Sequence, residues 1–152
     1  MIGWLPIIAA TGSAVAGGFY LAFSTVVMPA LSRQPAGEAI AAMVSINEKA
    51  VRPPFMIVFF GTAAACGAIA VASATGPLAQ PPLRVAGAAA YLAGWGSTML
   101  VNVPLNNRLS GPGSGQPDRQ WRSYAQSWTR ANHVRAALSI AGAVGLLVPP
   151  HQ

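Results

Sequence analysis

The chain has 152 residues, of which 53% are hydrophobic and only 8% charged. A soluble domain carries about 25% charged residues, so the composition excludes an ordinary water-soluble globule and fits one membrane domain over residues 1–152. The net charge of +6 and the single cysteine, Cys66, narrow the field further: the bases sit in two loops rather than on one face, which argues against nucleic-acid binding, and no intrachain disulfide can form.

The first apolar segment covers residues 2–28. No basic stretch precedes it and it is longer than a signal-peptide core, so it reads as a retained span. The connection SRQPAGEAIAAMVSINEKAVRPP follows, and within it residues 36–50 predict a short amphipathic helix at the membrane interface. The second and third segments, 55–75 and 83–103, are joined by the turn sequence GPLAQPP. A second long connection, NNRLSGPGSGQPDRQ, has a flexible SGPGSGQP centre that reads as a linker. The last apolar stretch, 136–150, covers roughly 22 Å as a helix, short of the ~30 Å hydrocarbon core. The span therefore has to recruit residues upstream and is placed at 132–148.

Backbone groups in lipid must be paired within the segment, so each span is expected to be a helix. Abundant glycine and alanine let such helices approach closely. The expected fold is all-α: an integral membrane four-helix bundle with a short interfacial helix between the first and second spans. The same small-residue faces suit a homo-oligomer. Arg33, Lys49 and Arg52 lie in the first connection, and Arg108, Arg119, Arg122 and Arg130 in and beyond the other long one. The positive-inside rule then puts both long loops in the cytoplasm and both termini outside.

Two stripes break the apolar pattern. Trp121, Tyr124, Trp128, Asn132 and Arg135 step by three or four residues and share one helix face. Tyr91, Trp95, Thr98, Asn102 and Asn106 do the same in the third segment, around Pro104. Both stripes point to the cytoplasmic end. Tyr20, Ser24 and Thr25 of the first segment, and Asn47, Glu48 and Arg52 of the interfacial one, fall near the same depth. A charge facing an intramembrane cavity is a functional candidate. The structural alternatives are a snorkelling Arg135 at the headgroups, and Asn102 and Asn106 serving carbonyls that Pro104 leaves free.

The inventory limits the chemistry. Two histidines and three acidic residues cannot supply a di-iron carboxylate site. His133 and His151 are roughly 27 Å apart along a helix, too far to share one iron. A haem held axially by His133 stays open. Phosphate loops, dinucleotide fingerprints, CxxC pairs and nucleophile elbows are missing.

Asn102-x-Pro104-x-Asn106 closing the third segment, Trp121 and Trp128-x-x-x-Asn132-x-x-Arg135 opening the fourth, and the interfacial SINEKAVRPPF together resemble the anthrone oxygenase-like family of small four-helix membrane proteins. The resemblance runs from the first helix to Arg135. It implies oxidation of a lipophilic phenolic aromatic, an anthrone-type polyketide, to an anthraquinone with O2, with no metal or flavin required. On that expectation Arg135 and Asn132 stabilise the enolate oxygen, and Asn102 and Asn106 orient phenol groups. Trp128 and Trp95 stack on the rings, with Tyr124, Ser24 and Asn47 completing the substrate-binding set. His133 is the candidate general base, and Glu48 the alternative. Two competing readings stand beside it. One is a non-catalytic membrane protein that binds or transports a lipophilic small molecule or haem. The other is a structural subunit whose polar stripe meets a partner.

Overall fold

Prolines mark where the helices start. In the computed structural model, which describes residues 3–75, 80–112 and 115–149, Pro35 precedes the second helix, Pro81 and Pro82 open the fourth, and Pro117 opens the fifth. A proline is tolerated in the first helical turn because the N–H it lacks would have no partner there. The elements are α1 (Trp4–Leu31), α2 (Ala36–Ala50), α3 (Phe55–Thr75), α4 (residues 82–109) and α5 (Pro117–Leu146). Among the described residues every regular element is helical. The helix expected at residues 36–50 and the segment expected at 55–75 have those bounds. The last helix starts well before residue 132, so the polar stretch that leads into the apolar segment belongs to the same continuous helix.

Pro29 and Pro104 lie inside helices, where the missing N–H and the bulk of the ring disturb the preceding turn. Each helix answers with one widened, π-helical turn just before its proline: Phe23–Val27 in α1 and Thr98–Asn102 in α4. The Met28 N–H reaches back five residues to the Phe23 carbonyl, and the Val103 N–H does the same to Thr98. In both turns a threonine hydroxyl donates to a carbonyl four residues back, Thr25 to Leu21 at 2.8 Å and Thr98 to Gly94 at 3.1 Å.

α1 and α4 each pack against both α5 and α3, so these four helices form a ring. α2 lies outside it and covers one end, touching α5 and the last turns of α1 and α4. α4 and α5 approach one another backbone to backbone. A Cβ on Gly87 would come within 2.8 Å of the Leu146 nitrogen and 2.9 Å of the Gly142 oxygen, both backbone atoms. Hydrogen bonds tie the ring together: Ser13 Oγ donates to the Ser139 carbonyl at 2.7 Å, and the Tyr91 hydroxyl to the Phe59 carbonyl at 3.1 Å. At the far end Arg84 bridges Gln80 and the Val148 carbonyl.

Two helices, Trp4–Leu31 and Phe55–Thr75, are long and apolar enough to cross a membrane. α4 and α5 are more polar, because they carry the two stripes. The buried side chains form two clusters. One contains Ala16, Tyr20, Cys66, Tyr91 and Leu146; the other contains Phe23, Met28, Met43, Trp121, Tyr124 and Trp128. Asn102, Asn132 and Arg135 lie at the seam where the clusters meet, joined to Tyr20 of one or Trp128 of the other, and Ser24 is bonded to Asn132.

Candidate functional site

α5 brings its whole stripe inward: Trp121, Tyr124, Trp128, Asn132 and Arg135 are all buried. Arg135 is 5% exposed. An unaided charge at such a place costs several kcal/mol, so its partners matter. Its Nη2 donates to Asn132 Oδ1 and its Nη1 to Thr98 Oγ1 at 3.3 Å. Its Cζ lies 4.2 Å from the Tyr20 ring centroid and 5.3 Å from that of Trp128. Aromatic faces hold a desolvated guanidinium with about 2 kcal/mol. Snorkelling is thereby ruled out for Arg135: the group turns into the protein.

Asn132 is completely buried. Its Nδ2 donates to the Tyr20 carbonyl at 2.6 Å and to Ser24 Oγ at 2.7 Å. These two acceptors fix the amide orientation, so that only Oδ1 can face Arg135. Ser24 and Phe23 reach the seam from the π-helical turn of α1, and Thr98 and Asn102 from that of α4. Widened turns of this kind recur at functional sites because they aim side chains that a regular helix would turn elsewhere.

These groups line a cavity of about 90 Å³ bounded by Tyr20, Phe23, Asn47, Thr98, Asn102, Asn106, Trp128, Asn132 and Arg135. Arg135 is its one charged lining residue among those described. Asn102 Nδ2 makes a long 3.4 Å bond to the Trp128 carbonyl, and Asn106 Oδ1 accepts from the Tyr124 hydroxyl at 2.9 Å. Four buried polar atoms of lining residues have no partner among the described residues: Asn47 Nδ2, Trp128 Nε1, Arg135 Nε and Asn102 Oδ1. Buried polar groups are ordinarily satisfied. Three donors and one acceptor left open around one cationic side chain suit a ligand bearing oxygen acceptors and negative charge.

A family model described as anthrone oxygenase matches residues 55–145, more than half of the chain. The chain belongs to the anthrone oxygenase family. No curated protein and no solved structure matches it. In this member of the anthrone oxygenase family the matched stretch holds Asn102, Asn106, Trp128, Asn132 and Arg135. Tyr20, Phe23 and Asn47, which close the same cavity, come from α1 and α2, outside that stretch.

Not every expected site residue reaches this cavity. Arg135, Asn132, Asn102, Asn106, Trp128 and Asn47 line it. Ser24 holds Asn132 from behind, and Tyr124 holds Asn106. Trp95 is not a lining residue: its ring stacks on Phe59, with centroids 5.9 Å apart, and meets Phe60 edge-on. His133 and Glu48 are exposed and do not line the cavity. One residue turns a helix by about 100°, so the step from Asn132 carries His133 away, into a separate groove beside Arg130. Neither is placed to take a proton from a ligand in the cavity. The partner considered for His133, His151, lies outside the described residues, among which no three His, Cys, Asp or Glu side chains gather to hold a metal ion. The aromatic walls Phe19, Phe23 and Phe55 carried no separate sequence signal, and Pro29, which marks the α1 turn, was the available one.

Proposed function

We propose that the protein is a membrane-embedded oxygenase that converts a lipophilic phenolic aromatic, of the anthrone type, to the corresponding quinone with O2. The observation that carries the reading is Arg135: a guanidinium buried among aromatic rings, with Nε unpartnered, beside a cavity lined, among the described residues, by no carboxylate or histidine. Such a site favours an oxyanion. Fixed donors in a dry pocket lower the cost of forming the enolate, whose charge resides largely on oxygen. The acidic methylene of an anthrone gives that enolate on losing one proton, and its electron-rich carbon reacts with O2. Overall the methylene loses two hydrogens and gains one oxygen atom, and the second oxygen leaves as water. The electrons come from the substrate, so the reading calls on no metal, flavin or haem.

Arg135 and Asn132 form the charged end, with Asn132 positioning the guanidinium. Trp128 Nε1 and Asn47 Nδ2 add donors, and Asn102 Oδ1 accepts from a phenol hydroxyl beside the enolate oxygen. The membrane assignment extends from the two apolar helices to all four helices of the ring. A belt of exposed apolar side chains supports it, including Val15, Val26, Ile57, Phe60, Val71, Leu100, Val134 and Val144; these have no reason to face water. With both long loops in the cytoplasm, the cavity lies toward the inner leaflet, where a polyketide dissolved in lipid reaches it.

The test is oxygen uptake and quinone absorbance with a dihydroxyanthrone and the full chain reconstituted in vesicles. Acceleration over protein-free vesicles is expected. A rate equal to the spontaneous oxidation refutes the reading and leaves a binding or transport role.

A further inference from the structure

The cavity at Arg135 holds about 90 Å³; a cavity of roughly 150 Å³ holds one benzene ring, so this one takes at most a single ring. A ligand with several fused rings cannot be enclosed there. A second chamber of about 310 Å³ adjoins it, and Phe19, Phe23, Ile46, Ala50 and Phe55 line both. The aromatic wall is continuous between them. Phe23 lies 5.6 Å from Trp128 on the inner side, and Phe19 lies 4.9 Å from Phe23 and 4.5 Å from Phe55 on the outer side, all centroid to centroid. Ser45 and Lys49 of α2 line only the outer chamber, and Lys49 is its one charged lining residue among those described.

From this juxtaposition we infer that the two chambers form one substrate site: the reacting oxygen edge enters at Arg135, the remaining rings lie against the wall that Phe19, Phe23 and Phe55 make together, and Lys49 at the rim reads an acidic substituent on the far ring. The inference rests on the proposed function for what occurs at Arg135, and it adds the place where the outer rings lie and an anionic distal group on the substrate. The charges support it. The inner chamber offers Arg135 and open donors to one oxyanion, and the outer one offers a second cation at the end of an aromatic slot. The unpartnered atoms of Trp128, Asn102 and Arg135 belong to buried residues, so the inner end awaits a polar ligand edge and not an acyl chain. Flat rings suit the slot because they stack on phenylalanine faces in offset or tilted geometry. The slot opens between α1, α2 and the start of α3, the helices that contribute its walls, so the substrate enters from the side.

The test is spectral titration of the purified full chain in detergent with three stable probes: a dihydroxyanthraquinone, its ring carboxylate, and the one-ring hydroxyaldehyde salicylaldehyde. Ser45→Trp, at an exposed position, fills the outer chamber. It is expected to weaken both three-ring probes by about tenfold or more, as overpacking does, and to leave salicylaldehyde unchanged. Lys49→Gln is expected to weaken only the carboxylate probe, by about three- to fivefold, the size of an exposed ion pair. Equal affinity of three-ring probes for parent and Ser45→Trp overturns the two-chamber site, as does equal weakening of all three probes. An unchanged carboxylate affinity in Lys49→Gln overturns the role of Lys49. Titration needs no turnover, so an inactive protein that shows the expected binding pattern defeats the oxygenase reading alone.

Discussion

Replacing Arg135 by methionine separates the energetics of the fold from those of the site. The parent guanidinium makes one charge-assisted bond to Asn132 and a longer one to Thr98, and it lies over Tyr20 and Trp128. Losing the first bond costs about 1.5–3 kcal/mol, and losing the cation–aromatic contacts about 2 kcal/mol. Against this, the variant no longer buries a charge, which relieves several kcal/mol, and methionine fills the space of the arginine stem. The opposing terms are comparable, so the thermal midpoint in detergent is expected to move by only a few degrees. The oxyanion has no such compensation. A unit positive charge about 4 Å away at an effective dielectric of about 20 stabilises it by about 4 kcal/mol, a factor of about a thousand in rate. Oxygen uptake should therefore fall by two to three orders of magnitude, the range seen when a fixed oxyanion donor is removed. An Arg135→Met protein that is folded and turns over within about tenfold of the parent would show that the charge does not act on the reaction.

Asn132→Asp keeps the bond to Arg135 but sets a carboxylate against it. The charge of the cavity is then cancelled, and a carboxylate oxygen faces the Tyr20 carbonyl where an amide donated at 2.6 Å; turnover should fall about tenfold or more, read as oxygen uptake, and an unaltered rate would contradict the charge argument. His133→Ala removes an exposed imidazole outside the cavity and is expected to retain the parent rate and its pH profile; a lost alkaline or acidic limb would restore His133 as the base. Gly87→Ala drives a methyl into the backbone of α5, at 2.8 Å from the Leu146 nitrogen, and should cost about 1–3 kcal/mol or more in thermal unfolding. Gly96→Ala meets nothing within 4 Å and should be neutral or stabilise by up to about 1 kcal/mol.

The helices were legible because their apolar runs have helical length, and because prolines at positions 35, 81 and 117 mark three of their starts. The α5 stripe was legible for a related reason: α-helical spacing holds along the whole of α5, so residues 121, 124, 128, 132 and 135 share a face in sequence and in structure alike. The α4 stripe was read from the same arithmetic and reaches the cavity through Thr98, Asn102 and Asn106, while Trp95, a turn before Thr98, packs on Phe59 and Phe60. His133 was proposed for its chemistry although its spacing already set it off the stripe; the structure follows the spacing. What stayed hidden was who closes the cavity. Tyr20 was placed near this depth by sequence, but Phe23 lies more than a hundred residues from Asn132 and Arg135, and no local pattern reports that it too faces α5. Proline placement carried part of that information, since Pro29 dictates the widened turn that brings Ser24 to Asn132.

A widened turn is a helix with one residue too many, kept because the bend serves a purpose. Shortening α4 by a single residue between Thr98 and Asn102 would let the helix close up normally. The widened turn already absorbs that residue, so Trp95 on one side and Asn106 on the other would keep the faces they have now. Each residue of a regular helix turns about 100°, and the change falls on which of residues 98–102 points inward, so a relative one residue shorter there would keep the flanks and lose the polar groups that the turn presents.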